Sequence, residues 1–220
     1  MPRESAAARA ARTLEILASL ARTYPTAHCE LDYATPLELL IATILSAQCT
    51  DKRVNIVTKE LFRVCKGAAD YVALPQEQLE EIVHATGFFR AKAKNVKACC
   101  AAIVERHGGE VPRTMDELTK LAGVGRKTAN VVLGNAFGIN VGVVVDTHVQ
   151  RLSRRLGLTR ADTPEKIEIE LMKLIPQSQW AVFSHWLIWH GRRCCDARKP
   201  DCARCELAKL CPRVGLDAKP

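Results

Sequence analysis

Apolar residues recur along this chain mainly at the spacing of amphipathic helices. In the first clear example, apolar side chains return every three or four residues at Leu37, Leu40, Ile41, Ile44 and Leu45. That period places them on one side of a helix and predicts a buried face. Residues 141–145 form the only strand-like run, and no segment sustains the two-residue alternation of a half-buried sheet. The pattern therefore predicts an all-α protein.

Several helix boundaries can be predicted from capping residues. A hydroxyl or carboxylate before the helix accepts a free amide of its first turn, and proline suits the first helical position. Glutamate three residues after the cap completes a capping box. These signals predict helix starts at Thr35-Pro36, near Asp51, at Thr114 with Glu117, and at Thr163-Pro164. A late helix is expected over residues 179–190, ended by Gly191.

The charge of the chain bears on its partners. The net charge is +8 over 220 residues, which favours an anionic partner such as nucleic acid or a membrane surface. The longest apolar candidate for a membrane span, residues 128–145, is interrupted by three asparagines and three glycines. These interruptions argue against a membrane span.

Four cysteines near the C-terminus are spaced C-x6-C-x2-C-x5-C, at Cys195, Cys202, Cys205 and Cys211. Four thiolates this close in sequence can surround one metal centre. A zinc ribbon usually has two C-x2-C pairs, whereas only one is present here, so a [4Fe–4S] cluster fits better than zinc. Reduced buried cysteines and disulfides are the remaining alternatives.

The other cysteines are Cys29, Cys49, Cys65, Cys99, Cys100 and Cys194. Most of them lie in apolar helical patterns, where a free cysteine behaves as a small buried hydrophobe. The N-terminal residues lack the apolar core of a signal peptide. We therefore expect a reducing, cytoplasmic environment.

Residues 118–132, LTKLAGVGRKTANVV, predict two helices joined by the turn Gly123-Val124-Gly125. Glycine allows positive φ and close approach of the backbone to a ligand. Amides of such a turn, at the start of the following helix, form an anion site, and Arg126 with Lys127 adds positive charge. A helix–hairpin–helix of this kind binds a DNA phosphate without reading the bases. An ordinary corner of the core is the alternative.

Lys127 is a candidate nucleophile because it lies in the first turn of the second hairpin helix. The neighbouring Arg126 and the positive end of the helix both favour a lowered lysine pKa, as a nucleophilic amine requires. A surface lysine that touches a phosphate is the alternative reading. Asp146, which begins Asp146-Thr147-His148, is predicted to cap the next helix.

The length of chain between these two residues permits them to meet. A helix over residues 127–137 extends about 17 Å at about 1.5 Å per residue. The return over residues 139–145 covers about 23 Å at about 3.3 Å per residue. An amine and a carboxylate beside a phosphate site suggest chemistry at a sugar carbon.

Together, these motifs resemble the endonuclease III family of bifunctional DNA glycosylases. The resemblance covers residues 37–211 and rests on residues 39–51 (LLIATILSAQCTD), 87–95 (GFFRAKAKN), 121–130 (LAGVGRKTAN) and 144–152 (VVDTHVQRL), with the cysteine signature. The chain departs from the family at Ala122, where proline commonly precedes the turn.

The resemblance implies two helical domains flanking a DNA-binding cleft. Residues 29–139 would form a six-helix domain with the helix–hairpin–helix at about 118–133, and residues 1–28 with 140–220 a [4Fe–4S] domain. The expected partner is double-stranded DNA with damaged pyrimidines or abasic sites, with the damaged base flipped into the cleft. A monomeric, cytoplasmic and nucleoid-associated bacterial protein is also expected.

The family implies roles for individual residues. Lys127 would attack C1′ of the damaged nucleotide, displace the base and form a Schiff base that permits β-elimination, while Asp146 activates the amine and stabilises charge on the sugar. Gln48 would fill the hole left by the flipped base, and Phe88 would act as a wedge. Basic side chains between the first two cluster ligands, Arg198 and Lys199, would contact the DNA backbone, with the cluster as their scaffold.

Two other functions share part of this pattern. Mismatch adenine glycosylases have the hairpin, the aspartate and the cluster, but they carry a glutamate one helical turn before the glutamine, where this chain has Ile44. A non-catalytic DNA-binding damage sensor would need neither Lys127 nor Asp146. A ferredoxin-like electron carrier would leave the hairpin and the positive charge unexplained.

Overall fold

The computed structural model describes residues 4–216. Within this range the structure contains helices, turns and extended segments and no β-strand, so the all-α prediction is confirmed. Residues 141–145 are largely buried but form no strand. The helices are α1 Ala6–Thr23, α2 Pro36–Leu45, α3 Asp51–Val64, α4 Ala68–Ala73, α5 Gln76–Val83, α6 Phe89–His107, α7 Met115–Leu118, α8 Arg126–Ala136, α9 Thr147–Arg155, α10 Pro164–Leu174 and α11 Trp180–Arg193.

The predicted helix starts are confirmed. Thr35 accepts a hydrogen bond from the amide of Glu38 at 3.2 Å, with Pro36 as the first residue of α2. Thr163 caps α10 in the same way, and α3 begins at Asp51. Each cap satisfies an amide that the helix itself leaves without a partner. None of the helices in the described range is long and apolar enough to cross a membrane.

The chain divides into two compact units. One unit is Cys29–Ile139 and contains α2 to α8. Helix α2 lies at its centre and packs against α3, α6 and α8. All of residues 37–45 except Glu38 are buried, including Leu39 and Ala42 on the side opposite the predicted face. A helix that is apolar on nearly all sides is buried on nearly all sides. Helix α2 is therefore the central helix of the unit's core.

Helix α6 spans one side of the same unit and packs against α4 and α5. It begins after Phe88, which has a left-handed backbone conformation with φ 47°. It ends at Gly108, also left-handed, where the following amide of Gly109 donates to the carbonyl of Ile103 at 3.1 Å. Glycine suits this C-terminal position because it has no Cβ to clash in the left-handed region.

The second unit consists of residues 4–28 and 140–216 and contains α1, α9, α10 and α11. Its core is built on fully buried Ile16 and Leu20 of α1, Val149 of α9, and Phe183 and Leu187 of α11. Residues 194–216 contain turns but no helix. Its backbone forms separate turn hydrogen bonds, such as that from the amide of Ala208 to the carbonyl of Cys205 at 3.0 Å, instead of the continuous pattern of a helix.

The expected end of the late helix at Gly191 is wrong. Helix α11 continues through Gly191 to Arg193. A Cβ at residue 191 would lie 2.6 Å from Nδ1 of His148 and 2.9 Å from Nη2 of Arg151. Glycine therefore allows the side chains of His148 and Arg151 to lie directly against α11, and it does not terminate the helix.

Substitution Gly191→Ala should destabilise the protein by about 1–3 kcal/mol, because the added methyl group overpacks a contact that has no room for it. Thermal unfolding measures the effect. The control is Gly67→Ala, where a Cβ would meet no atom within 4 Å, so that only the weaker capping of α4 by alanine should cost stability, about 0.5–1 kcal/mol. Equal melting temperatures for the two variants would contradict this account of Gly191.

Candidate functional site

The predicted hairpin is present as α7, a turn at residues 119–125, and α8. Thr114 accepts the amide of Glu117 at 3.3 Å and donates its hydroxyl to that side chain at 2.7 Å, which starts α7 as expected. The Val124 side chain is 5% exposed, and its amide donates to the carbonyl of Leu121 at 3.2 Å. Val124 thus anchors the turn internally, and its amide is engaged within the protein. An anion at this turn would meet the amides at the start of α8, which have no carbonyl one turn earlier.

The two glycines of the turn have different roles. Gly123 has φ +75°, and a Cβ there would lie 3.0 Å from Cβ of Asn95, so both its conformation and its packing require glycine. Gly125 has φ −91° and caps α8 in an extended conformation that any residue can adopt. A Cβ at Gly125 would meet no atom within 4 Å. The open space beside Gly125 is therefore where a ligand can approach the backbone.

Lys127 is the second residue of α8 and its side chain is exposed. Arg126, the first residue, is also exposed. Both cations thus lie at the end of the helix where amides and dipole attract an anion. This arrangement is suited to binding a phosphate, with an accessible primary amine beside it.

Gln48 and Phe88 lie in the same unit as this hairpin, in two separate loops. Gln48 follows α2 and Phe88 precedes α6, and both helices are packed together. Both residues have left-handed backbone conformations, with φ 53° and 47°. This conformation costs a non-glycine residue about 1–2 kcal/mol. Phe88 is 69% exposed, whereas a large apolar ring would ordinarily be buried.

Asp146 belongs to the other unit and caps α9. Its Oδ1 accepts the amide of Val149 at 2.8 Å, which confirms the predicted cap. The preceding segment is anchored by the hydroxyl of Ser184, which donates to the carbonyl of Val144 at 3.0 Å. Burial and the nearby His28 lower the pKa of His185 to about 4, although the negative charge of Asp146 acts to raise it. Asp146 is thus a half-buried carboxylate fixed in direction by its cap, beside a neutral imidazole.

The four cysteines of the predicted metal site line one cavity, together with Leu152, Arg155 and His190. The sulfur of Cys195 accepts from Nη1 of Arg155 at 3.3 Å, and that of Cys211 from the amide of Arg213 at 3.4 Å. Such donors stabilise thiolates, the form that binds metal. Burial raises the pKa of the Cys195 thiol, and Arg155 opposes this effect. The donor set therefore suits a metal that prefers sulfur ligands.

A second grouping overlaps this site. Ligand atoms of His190, Cys194 and Cys205 lie within 4.8 Å of one another. Cys194, however, is not part of the cavity lining, and its thiol donates to the carbonyl of Asp201 at 3.5 Å. The cavity is lined by all four cysteines of the predicted metal site, and four sulfur ligands can complete the coordination of a metal centre, so it is the better candidate metal site.

Two arginines of α9 hold the cysteine loop, and neither was predicted from the sequence. Arg155 is 8% exposed and donates to the carbonyls of Asp196 at 2.6 Å and Ala197 at 2.7 Å. Arg151, one turn earlier, donates to the carbonyl of Cys195 at 3.1 Å. In the sequence, these two arginines are marked only by their spacing of four residues, which places both on one face of a helix. Their targets are backbone carbonyls more than 40 positions away, which no local pattern identifies.

Arg198 and Lys199 lie between Cys195 and Cys202 in a turn built on Asp196. Their amides donate to Oδ1 of Asp196 at 2.8 and 3.1 Å, and these bonds lower the pKa of that carboxyl. Both basic side chains are exposed. The turn thus presents two cations to solvent from a loop whose carbonyls are fixed by Arg155.

Loss of the cap at Asp146 should be measurable apart from any chemistry of its carboxylate. Asp146→Ala should lower the stability by about 1 kcal/mol, because the amide of Val149 loses its partner. Asp146→Ser keeps a capping oxygen and should remain close to the unchanged protein in thermal unfolding. An equal loss in both variants would show that the cap is not what Asp146 contributes to stability.

Comparison with known proteins agrees with this arrangement. Residues 41–177 match the family described as HhH-GPD superfamily base excision DNA repair protein. Endonuclease III of Synechocystis is 57% identical over 206 residues, covering 94% of each chain. Endonuclease III of Bacillus subtilis is 50% identical over 189 residues, 86% of each chain.

Two solved structures are similar over nearly the whole chain. A non-covalent endonuclease III–DNA complex has a TM-score of 0.88 at 47% identity, covering 93% of this chain and 95% of that chain. A trapped endonuclease III–DNA covalent intermediate, an estranged-adenine complex, has a TM-score of 0.85 at 47% identity, covering 91% and 96%. The chain therefore belongs to the endonuclease III family within the HhH-GPD superfamily of base excision DNA repair proteins.

Proposed function

We propose that the protein removes oxidised pyrimidines from double-stranded DNA and then cuts the strand at the resulting abasic site. The proposal rests mainly on the exposed amine of Lys127 in the first turn of α8. This turn directly follows Gly125, whose backbone is open to a ligand. A phosphate held at that turn brings the sugar of a neighbouring nucleotide to the amine. A protein that only binds DNA has no use for a nucleophile at this position.

The reaction follows from the chemistry of a primary amine at a sugar carbon. The nitrogen of Lys127 attacks C1′, and the bond between C1′ and the base breaks, so the base leaves with that electron pair and a proton. Opening of the sugar ring gives an imine between Lys127 and C1′. Removal of a proton from C2′ then expels the 3′ oxygen with its phosphate. Water finally releases the unsaturated aldehyde and regenerates the amine.

Asp146 is proposed to help in the first step. Its cap uses Oδ1, so Oδ2 is the second acceptor of the carboxylate. A negative charge stabilises positive charge that develops on the sugar as the base departs. The same carboxylate can take a proton from the attacking amine. The cap fixes the direction of the carboxylate, which reduces the reorganisation required during reaction.

The remaining predicted site residues are proposed to bind DNA. Arg126 and the amides beginning at Gly125 would hold a phosphate, and the basic turn at Arg198 and Lys199 would contact another part of the backbone. Gln48 would fill the space left by the flipped base, and Phe88 would wedge between neighbouring bases. Their exposed, left-handed positions support these roles. We further propose that the protein acts as a monomer on chromosomal DNA in the bacterial cytoplasm.

We propose that Cys195, Cys202, Cys205 and Cys211 bind a [4Fe–4S] cluster. The four thiols lining one cavity, and the donors directed at two of the sulfurs, support this assignment. When bound, the cluster would supply four metal–sulfur bonds that fix a segment without helices. Arg155 would keep the first ligand and the following carbonyls in place, and the loop would then present Arg198 and Lys199 to DNA.

The function is tested with duplex DNA that contains one thymine glycol, in the presence of borohydride, which reduces an imine to a stable amine. We expect strand cleavage without borohydride and a covalent protein–DNA adduct with it. Lys127→Ala should reduce cleavage by at least about 100-fold and give no adduct. Lys59→Ala, which changes an exposed lysine of α3, is the matched control and should retain both strand cleavage and the adduct.

Full cleavage by Lys127→Ala would refute the mechanism. Tight binding with no base release by the unchanged protein would favour a damage sensor.

The cluster assignment is tested by iron loss. Arg155→Met should release iron to a chelator faster than the unchanged protein, because two loop carbonyls and the sulfur of Cys195 lose their donor. Arg154→Met is the control, since Arg154 donates instead to the carbonyl of Ala161. Iron bound per chain is followed over time. Equal rates for both variants would show that Arg155 does not secure the metal loop.

A further inference from the structure

Lys92 is a buried lysine for which the proposed reaction gives no role. It lies in the first turns of α6 and is 5% exposed, in a unit whose other lysines are partly or fully exposed. Burial lowers its pKa, while Cys49 acts in the opposite direction. Burying an amine is unfavourable unless its hydrogen bonds are satisfied. An apolar side chain would fill this space without that cost, so the amine itself needs an explanation.

The amine of Lys92 bridges the ends of two loops. Its Nζ donates to the carbonyl of Leu45 at 2.9 Å and to the carbonyl of Thr86 at 2.7 Å. Leu45 is the last residue of α2, three positions before Gln48. Thr86 is 2% exposed and stands two positions before Phe88. One nitrogen atom therefore sets the separation of the backbones that lead into Gln48 and Phe88.

The backbone amide of Lys92 adds a third contact, to the Phe88 loop. Its amide donates to the carbonyl of Phe88 at 3.1 Å. Gln48 and Phe88 both have exposed side chains and share one unusual property, a left-handed backbone. Such conformations persist only where the surrounding structure determines them. The three contacts of Lys92 act directly on the segments that hold these two residues.

We infer that Lys92 is a positioning residue that locks the Gln48 loop and the Phe88 loop together, so that both side chains enter the DNA helix as one rigid unit. This inference rests on the proposed function, in which Gln48 fills the vacated space and Phe88 wedges between bases. Rigid presentation matters because insertion must offset the cost of unstacking a base pair. If the two loops moved independently, ordering them on DNA would cost conformational entropy and reduce the free energy gained by insertion.

The experiment compares two substrates that differ in their need for insertion. A duplex with one thymine glycol requires the base to be extruded and the gap to be filled. A single-stranded oligonucleotide with an abasic site requires only the attack of Lys127 and the elimination. Lys92→Met keeps the length of the side chain and removes its donors. The control is Lys97→Met in the same helix, since Lys97 donates only to the carbonyl of Leu74, outside both loops.

We expect Lys92→Met to lower kcat/KM on the duplex by about 10-fold or more, the equivalent of one lost charge-assisted hydrogen bond. On the single-stranded abasic substrate it should stay within about 2-fold of the unchanged protein, a difference typical of independent sites. Lys97→Met should change kcat/KM to the same extent on both substrates. An equal loss on both substrates, including complete loss from failure to fold, would overturn the inference and make Lys92 a residue of the fold alone.

A double-mutant comparison tests the route of the effect. If Lys92 acts through Gln48 and Phe88, Lys92→Met should have little further effect, below about 2-fold, in a Gln48→Ala, Phe88→Ala background. A full multiplicative loss on the duplex in that background would refute the inference while leaving the proposed function intact. Failure of the unchanged protein on both substrates would instead refute the proposed function, and the inference with it.

Discussion

The buried guanidinium of Arg155 is the interaction on which the C-terminal part of the structure depends. Residues 194–216 contain no helix, and only some of their carbonyls and amides pair with one another in turns, so others need partners from elsewhere. Arg155 supplies donors to two of these carbonyls and to the sulfur of Cys195. Arg12 of α1 acts similarly, donating to the carbonyls of Leu156 at 2.7 Å and Leu210 at 3.0 Å. With Arg151, which donates to the carbonyl of Cys195, three arginines thus supplement the turn hydrogen bonds of this segment.

Helix α9 connects this scaffold to the proposed chemistry. Asp146 caps one end of the helix and Arg155 is its last residue, so the carboxylate and the cysteine loop are fixed to the same rigid element. Gly191 permits α11 to approach this helix closely enough for Arg151 to reach the carbonyl of Cys195. A cluster bound by the four cysteines would then stabilise the basic turn at Arg198 and Lys199 without entering the reaction. This role would account physically for the proposed metal centre in an enzyme whose proposed chemistry uses an amine and a carboxylate.

Local signals predicted much of this structure from the sequence. The caps at Thr35, Thr114, Thr163 and Asp146 act within one helical turn, so neighbouring residues suffice to identify them. The hairpin follows from the same short range, because glycine, a following helix and two cations are adjacent. The cysteine spacing likewise limits the metal chemistry before any fold is known.

Features that depend on distant contacts could not be predicted in this way. Gly191 resembles a helix terminator in sequence, and only the position of His148 shows that it serves close packing. Val124 stands in the turn motif, yet its amide is bonded internally. Lys92 and Arg155 resemble ordinary surface cations of amphipathic helices, and their carbonyl partners lie in other elements. Buried charges of this kind are the residues for which a sequence pattern is least informative.

The proposed reaction depends on Lys127 forming the covalent bond to DNA. Peptide mapping by mass spectrometry of the borohydride-reduced adduct, after digestion of both the protein and the DNA, identifies the attached residue. We expect the sugar remnant on the side-chain nitrogen of Lys127. A remnant on any other amine of the chain would contradict it.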